Sequence, residues 1–407
     1  MRAPTCSKFY RKGLLPVVKM PDYLGVTAFG VKMGIIAPGC DLSGMVYDAL
    51  ERCHQDGLLE DGDTVCITES VVARAQNNYV TLPDIVKDVH AQLNINQNAS
   101  IGILFPILSR NRFSLILKGI AGAVPEGKVV VQLSHPTDEV GNQLLPLDVS
   151  ESLAAQNQGV IRPEDLQEEY VHPITGVNYL QLYQDIIADT GAQGEIVICN
   201  DPLHILSYNL DGIVVANVHQ RQRCREKLES RGARCITLQD ICSDPNAAAW
   251  SEWGLLGSNL STPTKLKLAP RDADDFARHI QKCVAENLGV NIEAIVYGDG
   301  AYRDPSTGIY ELADPQPAFG TTPGLRNRYR QGLKYKYLVD KMLEEGMDLA
   351  TVEKTVEEKI ASAAVSNGIE TEGTTPRKVE DLLSSLADLV SGSADEGTPL
   401  IIIKGFL

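Results

Sequence analysis

The sequence predicts an α/β protein of the α+β kind, in which helices flank mixed sheets. Three observations predict it. Apolar residues from Leu42 to Cys53 recur at helical spacing, shortly before the strand-like run Thr64–Thr68. Apolar strands alternate with helical or polar segments again over residues 191–241. Near the end, a helical pattern over residues 379–390 leads into the apolar strand Pro399–Lys404.

Length and charge limit the classes of function. The chain has 407 residues, enough for two or three domains, and 43% of them are hydrophobic, as in globular proteins with a sizeable core. The net charge of −16 argues against a nucleic-acid partner and against an anionic membrane surface. An anionic substrate would therefore depend on local Arg and Lys residues or on a bound cation.

Cysteine usage points to a reducing compartment. The chain has nine cysteines, an odd number, and none forms a Cys-x-x-Cys pair. No uninterrupted apolar run reaches the ~18 residues that a membrane span requires, and the basic N-terminus has no apolar signal region. We expect a cytoplasmic protein.

The stretch Ile292–Arg303 carries the strongest candidate site. Its apolar run Ala294–Tyr297 predicts a buried strand, which ends in Gly298-Asp299-Gly300. Flanking glycines allow a sharp turn and close approach of a ligand, and open α/β sheets bind ligands at the carboxyl ends of strands. Arg303 could add a fork for phosphate or carboxylate. A plain turn capped by Asp299 is the alternative.

Other candidates follow apolar runs. Glu69 comes directly after Thr64–Thr68, although it could be only an acidic residue in the first turn of a helix. Arg110 and Arg112 follow the run Ile101–Leu108 and could bind phosphate or carboxylate, or be solvated loop charges. Asp201 follows the predicted strand Glu195–Cys199. The apolar segments Phe113–Leu117 and Lys128–Leu133 continue the alternation.

Five segments together resemble the gamma-glutamyl ligase family of the deazaflavin coenzyme F-420. Gly39-Cys40-Asp41-Leu42 is similar to the turn that opens the family's first helix, with Cys40 in place of an acid. Asp61-Gly62-Asp63 and the strand after it are similar to the family's next element, with Ser70 and Arg74 in place of lysines.

The later segments extend this resemblance. Gly254-Leu255-Leu256-Gly257-Ser258-Asn259 is similar to a central motif whose acid is replaced by Leu256. Val296–Arg303 is similar to a strand-Asp-Thr-x-Gly-Arg motif, and Val379–Gly405 to the C-terminal helix and strand. The resemblance implies a ligase-like core at 1–108 and 254–407, divided by a divergent α/β insertion at 109–253.

The resemblance also implies a function. An amino acid, with glutamate as the first candidate, would be joined to a carboxylated small molecule using GTP or ATP and Mg²⁺ or Mn²⁺, in a homodimer. It implies Asp299 as the catalytic metal ligand and Arg303 as a second catalytic residue. A further metal ligand, Asp201 or Asp211 from the 109–253 segment, is our conjecture for the acid that Leu256 replaces. Substrate or nucleotide would be bound by Gly39, Asp41, Glu69, Arg110, Arg112, Ser258 and Asn259.

The residues themselves leave an alternative open. No P-loop pattern and no Gly-x-Gly-x-x-Gly follows a predicted strand, so nucleotide use rests on the resemblance. Leu256 and the replaced lysines favour a non-catalytic relative that binds a nucleotide or metabolite in a regulatory role. Retention of four residues favours the ligase: Asp299, Arg303, Ser258 and Asn259.

Overall fold

The protein is described from a computed structural model. It describes residues 21, 23–300, 302–303, 310–330, 332–362, 368–371, 373, 375–391 and 397–407, with the backbone alone at 302–303, 310–311 and 360–362. Its mixed α/β architecture, with several sheets and flanking helices, confirms the predicted fold class. None of the described helices is long and apolar enough to cross a membrane.

The elements follow one another in an irregular alternation. The strands are β1 (Thr27–Val31), β2 (Thr64–Thr68), β3 (Tyr79–Thr81), β4 (Ser100–Leu104), β5 (Lys128–Leu133), β6 (Gln193–Ile198), β7 (Gly212–Val215), β8 (Cys235–Thr237), β9 (Asn259–Thr262), β10 (Lys265–Lys267), β11 (Glu293–Tyr297), β12 (Tyr302–Arg303), β13 (Tyr310–Glu311), β14 (Ala318–Thr321), β15 (Tyr329–Arg330), β16 (Arg377–Lys378) and β17 (Leu400–Lys404). The helices are α1 (Leu42–Gln55), α2 (Glu69–Ala75), α3 (Leu82–Leu93), α4 (Ser114–Ala121), α5 (Leu147–Gln156), α6 (Tyr179–Ala188), α7 (Arg221–Glu229), α8 (Ala273–Leu288), α9 (Tyr335–Glu344), α10 (Leu349–Ser362) and α11 (Val379–Ser391).

The first sheet joins the two ends of the described chain. Its strand order is β1-β17-β2-β11-β14, and among its neighbouring strands only β2 and β11 are paired in parallel. Helices α1 and α8 cover one face and α11 covers the other, each with its own apolar cluster. Because Thr68 is paired with Tyr297, the carboxyl ends of β2 and β11 lie at the same edge.

The second sheet is parallel throughout. Its order is β6-β5-β4-β7-β8, the arrangement of a doubly wound sheet in which the chain reverses direction from β4. Its strands are almost continuously apolar, because α3, α4 and α6 pack on one face and α7 on the other.

A small third sheet has the strand order β3-β10-β9. Strand β3 follows α2 directly, and Tyr79 is paired with Lys267 of β10. This pairing brings a residue almost two hundred positions away beside the end of β2, where the candidate site lies.

Most of the predicted elements agree with the structure. The helix from Leu42 and the strand Thr64–Thr68 are confirmed. The apolar segment Phe113–Leu117 belongs mainly to α4, a helix buried on most sides, whose sequence therefore lacks a polar face. Strand β4 pairs within the second sheet, although the division proposed at residues 108 and 109 assigns it to the N-terminal segment.

Lys404 ties the end of β17 to the turn before β2. Its ammonium lies 2.6 Å from the Asp63 carboxylate, 3.4 Å from Glu60 and 3.3 Å from the Leu58 carbonyl oxygen. The side chains of Lys404 and Asp63 are only 9% and 5% exposed. Removing a charge from such a pair leaves the other one buried without compensation.

We therefore expect Lys404→Met to lower the free energy of unfolding by about 3 kcal/mol or more. Urea denaturation followed by circular dichroism measures this. The matched control is Lys354→Met, because the Lys354 ammonium lies 3.9 Å from Glu358 with its side chain 78% exposed. Equal losses in both variants would contradict a stabilising role for the buried pair.

Candidate functional site

A cavity of about 810 Å³ opens at the carboxyl edge of β2 and β11, and we call it the cleft. Parallel pairing of these strands brings Glu69, the first residue of α2, and Asp299, just after β11, into its lining. Strands β9 and β10 contribute Asn259 and Lys267, and the connection from β4 to α4 contributes Arg112. The cleft is therefore built from residues of the first, second and third sheets and their connections.

The turn after β11 is held by carboxylates. The backbone amide of Asp299 donates to Asp314 Oδ2 at 2.8 Å, and the amide of Gly300 donates to Asp388 Oδ2 at 2.6 Å. A Cβ on Gly298 would lie 2.5 Å from Asp314 Oδ2 and 2.6 Å from the Phe319 ring. Position 298 therefore requires glycine, because any side chain there would collide with the Asp314 carboxylate and the Phe319 ring.

Arg112 reaches the turn from the second sheet. Its guanidinium donates to Asp314 Oδ1 at 2.7 Å and also pairs with Asp299 Oδ2. The Arg112 side chain is 12% exposed and that of Asp314 only 1%, whereas that of Asp299 is 38% exposed towards the cleft. Asp314 is thus the buried structural partner, and Asp299 is the carboxylate that a ligand can reach.

A second buried pair lies beside the first. The Lys267 ammonium donates to both oxygens of Glu69, at 2.8 and 3.0 Å, and both side chains are less than 10% exposed. Burial raises the pKa of Glu69, and the neighbouring Lys267 opposes that rise. The pair places one cation and one anion in the wall of the cleft.

Among the side chains that the structure describes around Asp299, acids outnumber cations. We call Glu69, Asp299, Asp314 and Asp388 the acid cluster, and Arg112 and Lys267 are paired with three of its members. Burial and the Asp314 carboxylate raise the pKa of Asp299 to about 7, against the opposing effect of Arg112. Burial by itself lowers the pKa of Arg112. The carboxylates of Asp314 and Asp299 raise this pKa by more, so it lies above its ordinary value and the guanidinium stays charged.

Several residues predicted from the sequence meet in the cleft. Glu69, Arg112, Asn259 and Asp299 line it, and the Asn259 side-chain oxygen accepts a hydrogen bond from Asn111 at 3.2 Å. The side chain of Arg303, the other predicted catalytic residue, lies outside the described residues.

Other predicted residues do not line the cleft and have local structural contacts. Asp41 caps α1 by accepting a hydrogen bond from the Gly44 amide, and Gly39 adopts a φ of +75° in the turn before it. Ser258 is buried and donates to the Leu255 carbonyl oxygen at 2.7 Å. Asp201 accepts from the Leu203 amide in an exposed turn after β6, and Arg110 is exposed.

Three functional candidates were missed by sequence reasoning. Asp314 lies in a Pro- and Gly-rich excursion, Asp388 within the polar positions of α11, and Lys267 in a short strand. None belongs to a local motif. Long-range contacts bring them to Asp299: the pairing of β3 with β10, the pairing of β11 with β14, and the packing of α11 on the first sheet.

The comparisons with known proteins give one family. Among solved structures, a chain of the tetrameric eIF2B-beta2-delta2 complex from C. thermophilum is 11% identical, over 51% of this chain and 60% of that chain. The TM-score of 0.21 is too low to carry an argument. No curated protein matches the chain. A family model described as F420-0:Gamma-glutamyl ligase matches residues 30–405, nearly the whole chain, and the protein therefore belongs to this family of ligases.

Proposed function

We propose that the protein is a nucleotide-dependent ligase that joins an amino acid to a carboxylated small molecule through an acyl phosphate. Glutamate is the first candidate for the amino acid, and GTP or ATP for the nucleotide. Family membership supports ligation. The observation that carries the proposal is the partly exposed Asp299 carboxylate at the end of β11, within the acid cluster and in contact with Arg112.

The residues of the cleft have distinct tasks in such a reaction. The acceptor carboxylate attacks the terminal phosphoryl group and expels the nucleoside diphosphate. The amine then attacks the acyl carbon, loses a proton and expels phosphate. Arg112 is placed to donate to phosphoryl oxygens, because its fork already ends at Asp299 in the cleft. Its second bond, to buried Asp314, keeps the guanidinium oriented. The Glu69–Lys267 pair gives the neighbouring wall a fixed polar shape.

A divalent cation fits this donor set only as an ion shared with phosphate. Within the described ranges, no three His, Cys, Asp or Glu side chains converge in a way that could hold a metal ion. Mg²⁺ does not need such a cage, because it is commonly bound by one or two carboxylates together with phosphate oxygens and water. Asp299 would supply the protein oxygen, and the cation would neutralise phosphate charge.

A regulatory protein that binds a nucleotide or metabolite without turnover is the second candidate. Leu256, at the position where the resemblance leads us to expect an acid, is 2% exposed and lies in the apolar core of the second sheet. Phosphate release from GTP or ATP, with Mg²⁺ or Mn²⁺ and a panel of amino acids and carboxylates, separates the two candidates. Nucleotide binding without release in any mixture favours the regulatory protein.

Asp299→Asn tests the central residue. We expect it to reduce metal-dependent phosphate release roughly 100-fold or more, because the amide cannot replace the charge that holds a cation. Colorimetric phosphate release measures the effect, and circular dichroism checks the fold. Asp189→Asn is the control, since Asp189 is 66% exposed and pairs with Lys118. Wild-type turnover in Asp299→Asn would remove this residue from the site.

The pH profile tests the acid cluster. Asp299 has a pKa raised to about 7 and must be ionised to hold a cation, so kcat/KM should fall as the pH drops through 7. In Asp314→Asn a carboxylate that raises this pKa is gone, so the midpoint of the fall should move to lower pH. Asp189→Asn should keep the wild-type profile. An unchanged midpoint in Asp314→Asn would contradict this account.

The homodimer remains a prediction, which rests on the family resemblance and on residues 304–337, a long excursion rich in Pro, Gly and Tyr that could wrap a partner subunit. Where this excursion is described, β14 pairs with β11 and β15 with β16 of the same chain. Sedimentation velocity should give about twice the mass of one 44.3 kDa chain. A single species of monomer mass at micromolar concentration would contradict the prediction.

A further inference from the structure

Two donors that the proposed mechanism does not use lie on α2. Ser70 and Arg74 both line the cleft and are one helical turn apart, so their Cβ atoms are separated by roughly 5–6 Å. Arg74 is exposed and Ser70 is half-buried. Among the residues that the structure describes, neither side chain makes a hydrogen bond or an ion pair.

The other described cations of the cleft are already paired. The Lys267 ammonium is bound to both oxygens of Glu69, and Arg112 is bound to Asp299 and Asp314. An anion that enters the cleft meets these pairs and the acid cluster. Among the cations that the structure describes in the lining, Arg74 is the one whose charge is not paired with a carboxylate.

We propose that Ser70 and Arg74 form a second oxyanion subsite of the cleft, which binds a carboxylate or phosphate group of a substrate. The planar guanidinium can donate two parallel hydrogen bonds to either group, and the Ser70 hydroxyl can donate a third from the same face of α2. The kind of substrate rests on the proposed function, whereas the subsite itself requires only an anion of this size.

The subsite would act in binding and would not touch the reacting atoms. A charged hydrogen bond lost from a substrate weakens its binding by roughly tenfold or more. Arg74→Gln should therefore raise one KM about tenfold and leave kcat nearly unchanged. Arg74→Lys should lie between, because a lysine gives the charge without the fork.

Steady-state kinetics with each substrate varied in turn distinguishes the source of the anion. A rise in the KM of the nucleotide alone identifies a phosphate, and a rise for the amino acid or the acceptor alone identifies a carboxylate. The control is Arg231→Gln, which removes an exposed guanidinium outside the cleft. Unchanged KM values in Arg74→Gln, or a loss in kcat alone, overturn the subsite.

A binding measurement separates failure of the subsite from failure of the proposed function. Calorimetry with inorganic triphosphate and with glutamate as probes requires no turnover. We expect the wild type to bind at least one probe, Arg74→Gln to bind it about tenfold more weakly, and Arg231→Gln to match the wild type. This result supports the subsite even if no mixture of substrates releases phosphate. Equal binding by Arg74→Gln, or binding of neither probe by the wild type, overturns it.

Discussion

The ion pairs of Arg112 with Asp299 and Asp314 connect the two large sheets at the cleft. The partners are 187 and 202 residues apart in the chain, and one of them is almost completely buried. Without the guanidinium, Asp299 and Asp314 would lose their shared cationic partner beside the buried Glu69 carboxylate. Burying like charges is expensive, so the geometry of the turn after β11 depends on this contact.

The parallel sheet explains how Arg112 comes to be there. In a doubly wound sheet, ligand-binding loops leave the carboxyl ends of strands at the point where the strand order reverses. Arg112 belongs to the connection that leaves β4 at this point. The amides of Val218, His219 and Gln220, after neighbouring β7, are taken by the Glu139 carboxylate. This part of the edge is therefore filled by the protein itself, and the sheet positions an arginine for the cleft of the first sheet.

Sequence patterns identified the parts of the site that lie on regular elements. The strand before Asp299 and the position of Glu69 after β2 follow from hydrophobic spacing, and the parallel pairing of those strands brings the two acids together. Asp314, Asp388 and Lys267 could not be found in this way, because long-range pairing and helix packing place them. Ser258 shows the converse limit: a polar residue in a promising motif satisfies the carbonyl oxygen of Leu255 within its own turn.

Leu256 stands where the family motif has an acid, but this replacement is weak evidence against a ligase. The side chain of Leu256 is part of the apolar core with α3 and α4, so the cleft does not contain an empty place where an acid is missing. The acids that surround Asp299 come instead from α2, the excursion after β13 and α11. At Asp299 the proposed cation would meet a carboxylate that is already paired with Arg112 through Oδ2, so in that proposal the guanidinium and the cation would share one acid. Burial and the neighbouring Asp314 carboxylate raise the pKa of Asp299 against the opposing effect of Arg112, so the ionisation of this carboxyl depends on its buried acidic neighbour as well as on its guanidinium partner.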